Sequence, residues 1–371
     1  MILPHIAYLD FREGTIQGRY VTQKQISTYL ESIQNKAIVA TVGTSVQNRP
    51  IQSVTIGHGK HKLLFWSQMH GNETTTTKAV LDLLNLLSSN TIEVNDLLEN
   101  CTLKIIPMLN PDGAAVYTRV NANAIDLNRD AQLRTQPESK VLRAVYDDFK
   151  PDFCFNLHDQ RTIFNVGFTS KPATVSFLAP AHDEERTISK TRGISMRLIV
   201  AMNQKLQALI PGQVGRYDDG FNANCVGDTF QMLHTPTILF EAGHYPKDYD
   251  REKTREFIFW ALIKAIATIS QNKIPEYVQQ DYFTIPENQK LFLDVVIKNA
   301  QVLSTTYTKD IGILFVEVLN NGKINFEARI EKVGCLKGIY GHKNYDCLIE
   351  NDLESLKKQA FWNLLQVQNI E

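Results

Sequence analysis

The sequence predicts an α/β protein: a mixed, largely parallel sheet flanked by helices, followed by a small β-rich C-terminal domain. Three observations carry this. Short apolar runs at residues 62–66, 104–109, 152–157 and 237–240 alternate with helical patterns, the order that βαβ units and parallel strands require. Each run gives way to polar residues, as happens where strands of an open sheet end at a ligand-binding edge. Beyond Pro275 the pattern changes to alternating strands about Asn320-Asn321-Gly322, a hairpin signal.

Taken in order, residues 1–45 read as an N-terminal leader packed on the central unit, with a helix at about 23–34 and an edge strand or two after it. Residues 46–274 read as the α/β unit, with apolar periodicity predicting helices at about 75–88, 138–148, within 186–209 and at 250–270. Residues 275–371 form the β-rich domain: strands at 291–297, 312–318 and 323–330, a polar loop His342-Lys343-Asn344-Tyr345-Asp346, and a closing helix near 353–367. This last domain has no assigned chemistry; the roles open to it are to cap an exposed sheet edge, which is expected first, to cover the active-site mouth, or to mediate dimerisation.

Composition narrows the setting. A chain of 371 residues, 43% hydrophobic and 21% charged, buries one large core and leaves enough for a second, smaller domain. A net charge of −1 supplies no electrostatic reason to expect nucleic acid or an anionic membrane as partner. No apolar run approaches the roughly 20 residues that cross a bilayer. The first ten residues lack a basic start and a signal-type apolar core, so a cytoplasmic location is expected. Cys101, Cys154, Cys225, Cys335 and Cys347 are odd in number, scattered and without CxxC spacing, which reads as reduced thiols. The oligomeric state is unknown from sequence.

The chemistry begins at Met69-His70-Gly71-Asn72-Glu73, where a strand delivers a histidine and a carboxylate three residues apart to an abrupt turn. That pairing suits a borderline metal such as Zn²⁺, which in catalytic sites takes three protein ligands and keeps a fourth position for water. Other strand ends carry further polar residues: Asn110-Pro111-Asp112-Gly113, His158 after Asn156-Leu157, and Glu241 after Phe240. If the strands are parallel neighbours, His70, Glu73, His158 and Glu241 meet at one edge.

Together with the segment from Arg119 to Asp126-Leu127-Asn128-Arg129, these motifs make the chain resemble the zinc carboxypeptidases of the carboxypeptidase A type, over about residues 45–272 and in the family's order. The resemblance implies one Zn²⁺ per chain held by His70, Glu73 and His158, a metal-bound water, and Glu241 as the general base. It implies Arg119 facing the scissile carbonyl, and Asn128 and Arg129 gripping the free carboxylate of a peptide substrate, which restricts cleavage to the terminal residue. Asp126 resembles the acid that accepts the second ring N–H of the first zinc histidine. Tyr217, in a Gly- and Asp-rich loop, is the counterpart of the tyrosine that covers the bound terminal residue, and side-chain preference is expected near Val226-Gly227-Asp228.

One departure stands out: Asn72 occupies the place of an arginine in the digestive-type pattern. His-Gly-Asn-Glu also looks like the succinylglutamate desuccinylase and aspartoacylase branch, so a zinc-dependent N-acyl-amino-acid amidohydrolase is the alternative to a peptidase. A non-catalytic binder is a third class. Retention of three ligands, the base and both arginines argues against it. Cys154 reads as core packing, and His244, three residues after Glu241, as an exposed loop residue.

Overall fold

The computed structural model describes residues 7–89, 91–304, 307 and 309–366. After a short 3-10 turn at Tyr8–Asp10, α1 (Gln23–Ser32) starts where Thr22 N–H donates to the Gln25 Oε1 at 2.8 Å, which closes the first turn. An antiparallel ribbon, β1 (Ile38–Thr44) and β2 (Pro50–Ile56), precedes β3 (His61–Ser67), α2 (Thr75–Leu87), α3 (Ile92–Asn100) and β4 (Cys101–Ile106). There follow α4 (Pro111–Val116), α5 (Pro137–Phe149), β5 (Phe153–Asp159), the two-residue β6 (Asn165–Val166), β7 (Val175–Leu178) and α6 (Lys190–Gln207). The unit closes with β8 (Val214–Arg216), α7 (Val226–Met232), β9 (Thr237–Ala242) and α8 (Glu252–Ser270).

These strands form one eight-stranded sheet in the order β1-β2-β4-β3-β5-β9-β7-β8. Its centre, β4-β3-β5-β9, is parallel, and antiparallel pairs β2/β4 and β7/β9 flank it. The pleat explains why the central runs are apolar without alternation: Leu63 and Phe65 join the core under α2, α6 and α8, whereas Leu64 and Trp66 join the one under α5 and α7. β1 lies in this sheet, so the sheet extends into what the sequence presents as a leader. That segment is also tied down by Tyr8 Oη donating to Asp82 at 2.9 Å, while Asp82 is clamped by the buried Arg255 at 2.5 Å. Among the described residues no helix is long and apolar enough to cross a membrane.

A ribbon of β6 with β10 (Asn288–Gln289) leads into a second sheet, built from β11 (Phe292–Lys298), β12 (Asp310–Asn320), β13 (Lys323–Gly334) and β14 (Tyr340–Asp346), ordered β13-β12-β11-β14. Asn321 (φ 49°) and Gly322 (φ 76°) form its left-handed hairpin turn. Three expectations are corrected here. The expected polar loop at His342–Asp346 is strand β14, paired in parallel with β11; Tyr345 alone is buried along it, so its sequence carries no apolar alternation. The closing helix is α9 (Glu350–Lys357) followed by a 3-10 turn at Trp362–Leu365, and residue 367 lies outside the described residues. His244 is buried, its ring 4.6 Å from that of Tyr249 and 4.1 Å from that of His342. Pro286 and Glu287, which precede the second sheet, lie along the edge strand β8, Arg216 N donating to Pro286 O at 2.9 Å, and the hairpin of that sheet lines the cleft.

Candidate metal centre and active-site cleft

The first motif is shaped by backbone contact. β3 ends at Ser67, the chain turns through Gln68 (φ 46°), and the Gln68 amide donates to Gly71 O at 3.0 Å. Gly71 lies against Gly113: a Cβ on Gly71 would stand 2.0 Å from the Gly113 carbonyl carbon. Asn110 bolts the two motifs together by donating to Met69 O (3.2 Å) and accepting from Gly113 N (2.8 Å). Asn110-Pro111-Asp112-Gly113 is therefore a scaffold. Asp112 serves the same end, accepting from the Ser45 hydroxyl, Gln47 N and Arg49.

On that scaffold His70, Glu73 and His158 converge, with one ligand atom from each lying within 4.8 Å of the others, and all three are buried. His70 Nδ1 is 2.8 Å from Glu73 Oε1, His158 Nδ1 is 2.8 Å from Glu73 Oε2, and the two Nδ1 atoms are 3.1 Å apart. His70 Nε2 faces Asp126 Oδ1 at 3.0 Å. Burial works against the Asp126 carboxylate, yet the hydrogen bond and charge of His70, the Arg119 charge and the Asn128 N–H together outweigh it and hold the group below its ordinary range. An ionised Asp126 only accepts, so the His70 proton sits on Nε2 and its Nδ1 lone pair faces the cluster. Two imidazole nitrogens and a carboxylate turned toward one point repel unless a cation lies among them. Nitrogen and carboxylate oxygen donors in that number fit Zn²⁺.

Glu241 is the register partner of His158 across β5 and β9. It has no hydrogen-bond or ion-pair partner among the described residues. Burial first, then the charges of Glu73 and Asp159, push its carboxyl well above the usual range, against Arg119 and Arg251. Arg119 donates to Asp126 at 3.0 Å and to Glu73 at 3.3 Å, with its side chain 47% exposed to the cleft. Asn128 Oδ1 accepts from Val226 N at 2.9 Å, which fixes the start of α7 beside it. Arg129 is exposed and donates to Asn128 O (2.7 Å) and Cys225 Sγ (3.1 Å). Tyr217 is half-buried, its ring 5.4 Å from that of Phe164. Asp228 is buried, accepts from Asn222 N at 2.9 Å, and is pushed up to about 7 by burial.

A single cavity of about 800 Å³ is lined by His70, Glu73, Arg119, Asn128, Arg129, His158, Tyr217, Asp228 and Glu241, and Asn72 stands in its wall. All five cysteines are free, and Cys154 is buried in the core. Sequence reasoning missed several wall residues. Asp159 N–H donates to Glu73 Oε2 at 3.1 Å while its carboxylate caps the start of α2 through Thr75 N and Thr76 N. The acidic residue directly after His158 was a usable signal for it. Arg19, Tyr117, Tyr249, Arg251 and Glu317 had none, because they come from loops and from the second sheet.

The site is thus a His/Glu/His cluster and a buried carboxylate at the strand ends of a largely parallel sheet. Residues 26–191 match the family model described as zinc carboxypeptidase. Carboxypeptidase 2 of Trichophyton tonsurans is 31% identical over 101 residues, 27% of this chain and 19% of that protein. Carboxypeptidase M of Mus musculus is 28% identical over 149 residues, 35% of this chain and 33% of that protein. The chain thus spans about a fifth of the fungal relative's length and a third of the mouse one's. The crystal structure of a metallo-carboxypeptidase from Burkholderia cenocepacia shares the fold at a TM-score of 0.55 and 18% identity, over 68% of this chain and 70% of that one. Carboxypeptidase A of Helicoverpa armigera shares it at 0.53 and 16%, over 68% and 74%.

Proposed function

We propose that this protein is a zinc-dependent metallocarboxypeptidase that hydrolyses the C-terminal amide bond of a peptide. The observation that carries the reading is the convergence of His70, Glu73 and His158 with Glu241 directly across the strand pair from His158. His70, Glu73 and His158 would hold the ion, with Asp126 fixing the His70 tautomer. When bound, Zn²⁺ supplies a Lewis acid and lowers the pKa of water toward about 7.

The chain's own groups do the rest. Glu241, buried and unpaired, accepts a proton from the attacking water and returns it to the departing amine. Arg119 already reaches toward Glu73 from the cleft wall and stabilises the oxyanion as charge develops on the carbonyl oxygen. Arg129, with Asn128 beside it, binds the free carboxylate, and Tyr217 closes over the terminal side chain. The catalytic unit, on this reading, takes in β1 as well as residues 46–274.

Digestion of a peptide library, followed by mass measurement with and without a chelator, tests this. Loss of single C-terminal residues that stops on chelation supports it; equal hydrolysis of free and amidated C-termini removes it. Asn72 keeps a second reading, the N-acyl-amino-acid amidohydrolase, because its place in the cavity wall lacks the cation that steadies longer peptides in the pattern it departs from. Faster turnover of small N-acyl amino acids than of any tripeptide selects that reading.

A further inference from the structure

The chain that follows Glu241 is held at three consecutive carbonyls by side chains from other segments. Ala242 O accepts from Arg251 Nη1 at 2.6 Å, Gly243 O from Thr254 Oγ1 at 3.0 Å, and His244 O from Thr174 Oγ1 at 2.9 Å. Gly243 itself leaves no slack, since a Cβ there would stand 2.1 Å from Ala173 O and 2.7 Å from the Gln160 side-chain nitrogen.

Arg251 differs from the two threonines in what its second terminal nitrogen does. Nη2 donates to Gln160 O at 2.6 Å, so one planar guanidinium spans the ends of β5 and β9. The ladder between those strands stops at Asp159 and Ala242, one residue beyond His158 and Glu241. Past that point Gln160 N donates to the same Ala242 O at 2.9 Å, and Arg251 ties the two strand ends together. The arginine is buried, has Asp159 Oδ2 at 3.7 Å as a counter-charge, and lines the cavity together with Glu241. Its backbone lies in the left-handed region at φ 57°, which Gly or Asn adopts at lower cost, so what the position gains from arginine is the side chain.

We propose that Arg251 is a positioning residue for the general base: its guanidinium fixes the ends of β5 and β9 against each other and so holds Glu241 beside the His70, Glu73 and His158 cluster in the pose that proton transfer requires. This rests on the hydrolase reading above. Because the Glu241 carboxylate has no partner of its own among the described residues, its pose is set through the backbone that Arg251 grips. A displacement of about 1 Å at a reacting group is enough to lower the rate about 100-fold.

The test compares wild type with Arg251→Ala and Arg251→Lys on a tripeptide and an N-acyl amino acid, using whichever the wild type hydrolyses faster. Arg251→Ala should lose about 100-fold in kcat with KM little changed, and should keep its metal by elemental analysis. Guanidinium chloride, far below denaturing concentrations, should recover about 10-fold of that loss, and sodium chloride none of it. Arg251→Lys keeps the charge but has one donor nitrogen for two carbonyls, so its kcat should fall between the other two. In metal-free protein, amide exchange at Gln160 and Gly243 should quicken about 10-fold in Arg251→Ala, a readout that needs no turnover.

A kcat within about twofold of wild type overturns the proposal, as does unchanged amide exchange. Metal lost in step with activity also overturns it, because the arginine then serves the metal cluster and not the base. So does a kcat loss that neither guanidinium nor the lysine variant relieves. If the wild type shows no chelator-sensitive hydrolysis, the hydrolase reading falls and the positioning role with it. Should Arg251→Ala fail to fold, Arg251→Lys decides: a wild-type kcat overturns the proposal, and a kcat about 10-fold lower at unchanged KM and metal content supports it.

Discussion

His158 and Glu241 are paired residues on adjacent parallel strands, so they project to the same face of the sheet. Two residues back, Asn156 and Leu239 are paired in the same way, and all four line the cavity. The intervening Leu157 and Phe240 point into the core instead. One register thus places a buried imidazole and a buried carboxylate side by side, and a one-residue slip of β9 against β5 would turn Glu241 into the apolar layer.

That pairing separates two roles by mutation. Glu241→Gln should lower kcat by about 10²–10⁴-fold while metal content, measured by elemental analysis, stays at one ion per chain. His158→Ala should lose both. Near-normal turnover by Glu241→Gln would remove the general-base role.

Arg129 offers a charge-assisted grip worth about 1.5–3 kcal/mol, which corresponds to about 10–150-fold in kcat/KM. Arg129→Ala should lose that factor on free C-termini and change little on amidated ones. A uniform loss on both would point to a structural role through Cys225 and Asn128.

Chelation should abolish activity and added Zn²⁺ restore it. Asp126→Ala frees the second nitrogen of His70, so metal affinity, read by competition with a chromophoric chelator, should fall about 10–100-fold. Unchanged affinity would show that Asp126 acts through Arg119 alone.

Gly71→Ala forces a methyl group into the Gly113 backbone, where no flexible side chain can give way. Overpacking of this kind costs about 1–3 kcal/mol and should displace His70 as well. A thermal melt with a metal titration checks both; an unperturbed midpoint would mean the two motifs separate readily.

Asp228 sets a pH dependence away from the metal. Burial raises its folded pKa to about 7, above that of an unfolded carboxylate, so the folded state holds the proton more tightly. Its contribution to stability is complete below about pH 4 and is lost as pH rises through about 7. Asp228→Asn should raise the melting midpoint relative to wild type at pH 8 more than at pH 5. Equal differences at both would exclude this carboxyl as the source.

The helices and strands that face two apolar layers were legible in sequence because burial imposes periodicity. α2, α5, α6 and α8 fall within a few residues of expectation. The missed elements lacked that signal. α4 and α7 are short and set by caps and site contacts, α3 is largely exposed, and β14 is polar on nearly every position. His244 looked like a loop residue because nothing in its local sequence announces Tyr249 and His342 packing on its ring.

The sequence by itself determined the sheet's strand ends and the residue types placed on them, since a histidine, a carboxylate or an arginine carries its chemistry wherever it lies. Tertiary structure alone decided that Gly71 and Gly113 touch, that Asp159 braces Glu73, and that Phe315, Glu317 and Phe326 wall the cleft. Those relations join segments as much as 200 residues apart, as Tyr117 joins Glu317. Side-chain packing and register bring them together, and no local pattern in a single chain encodes that distance.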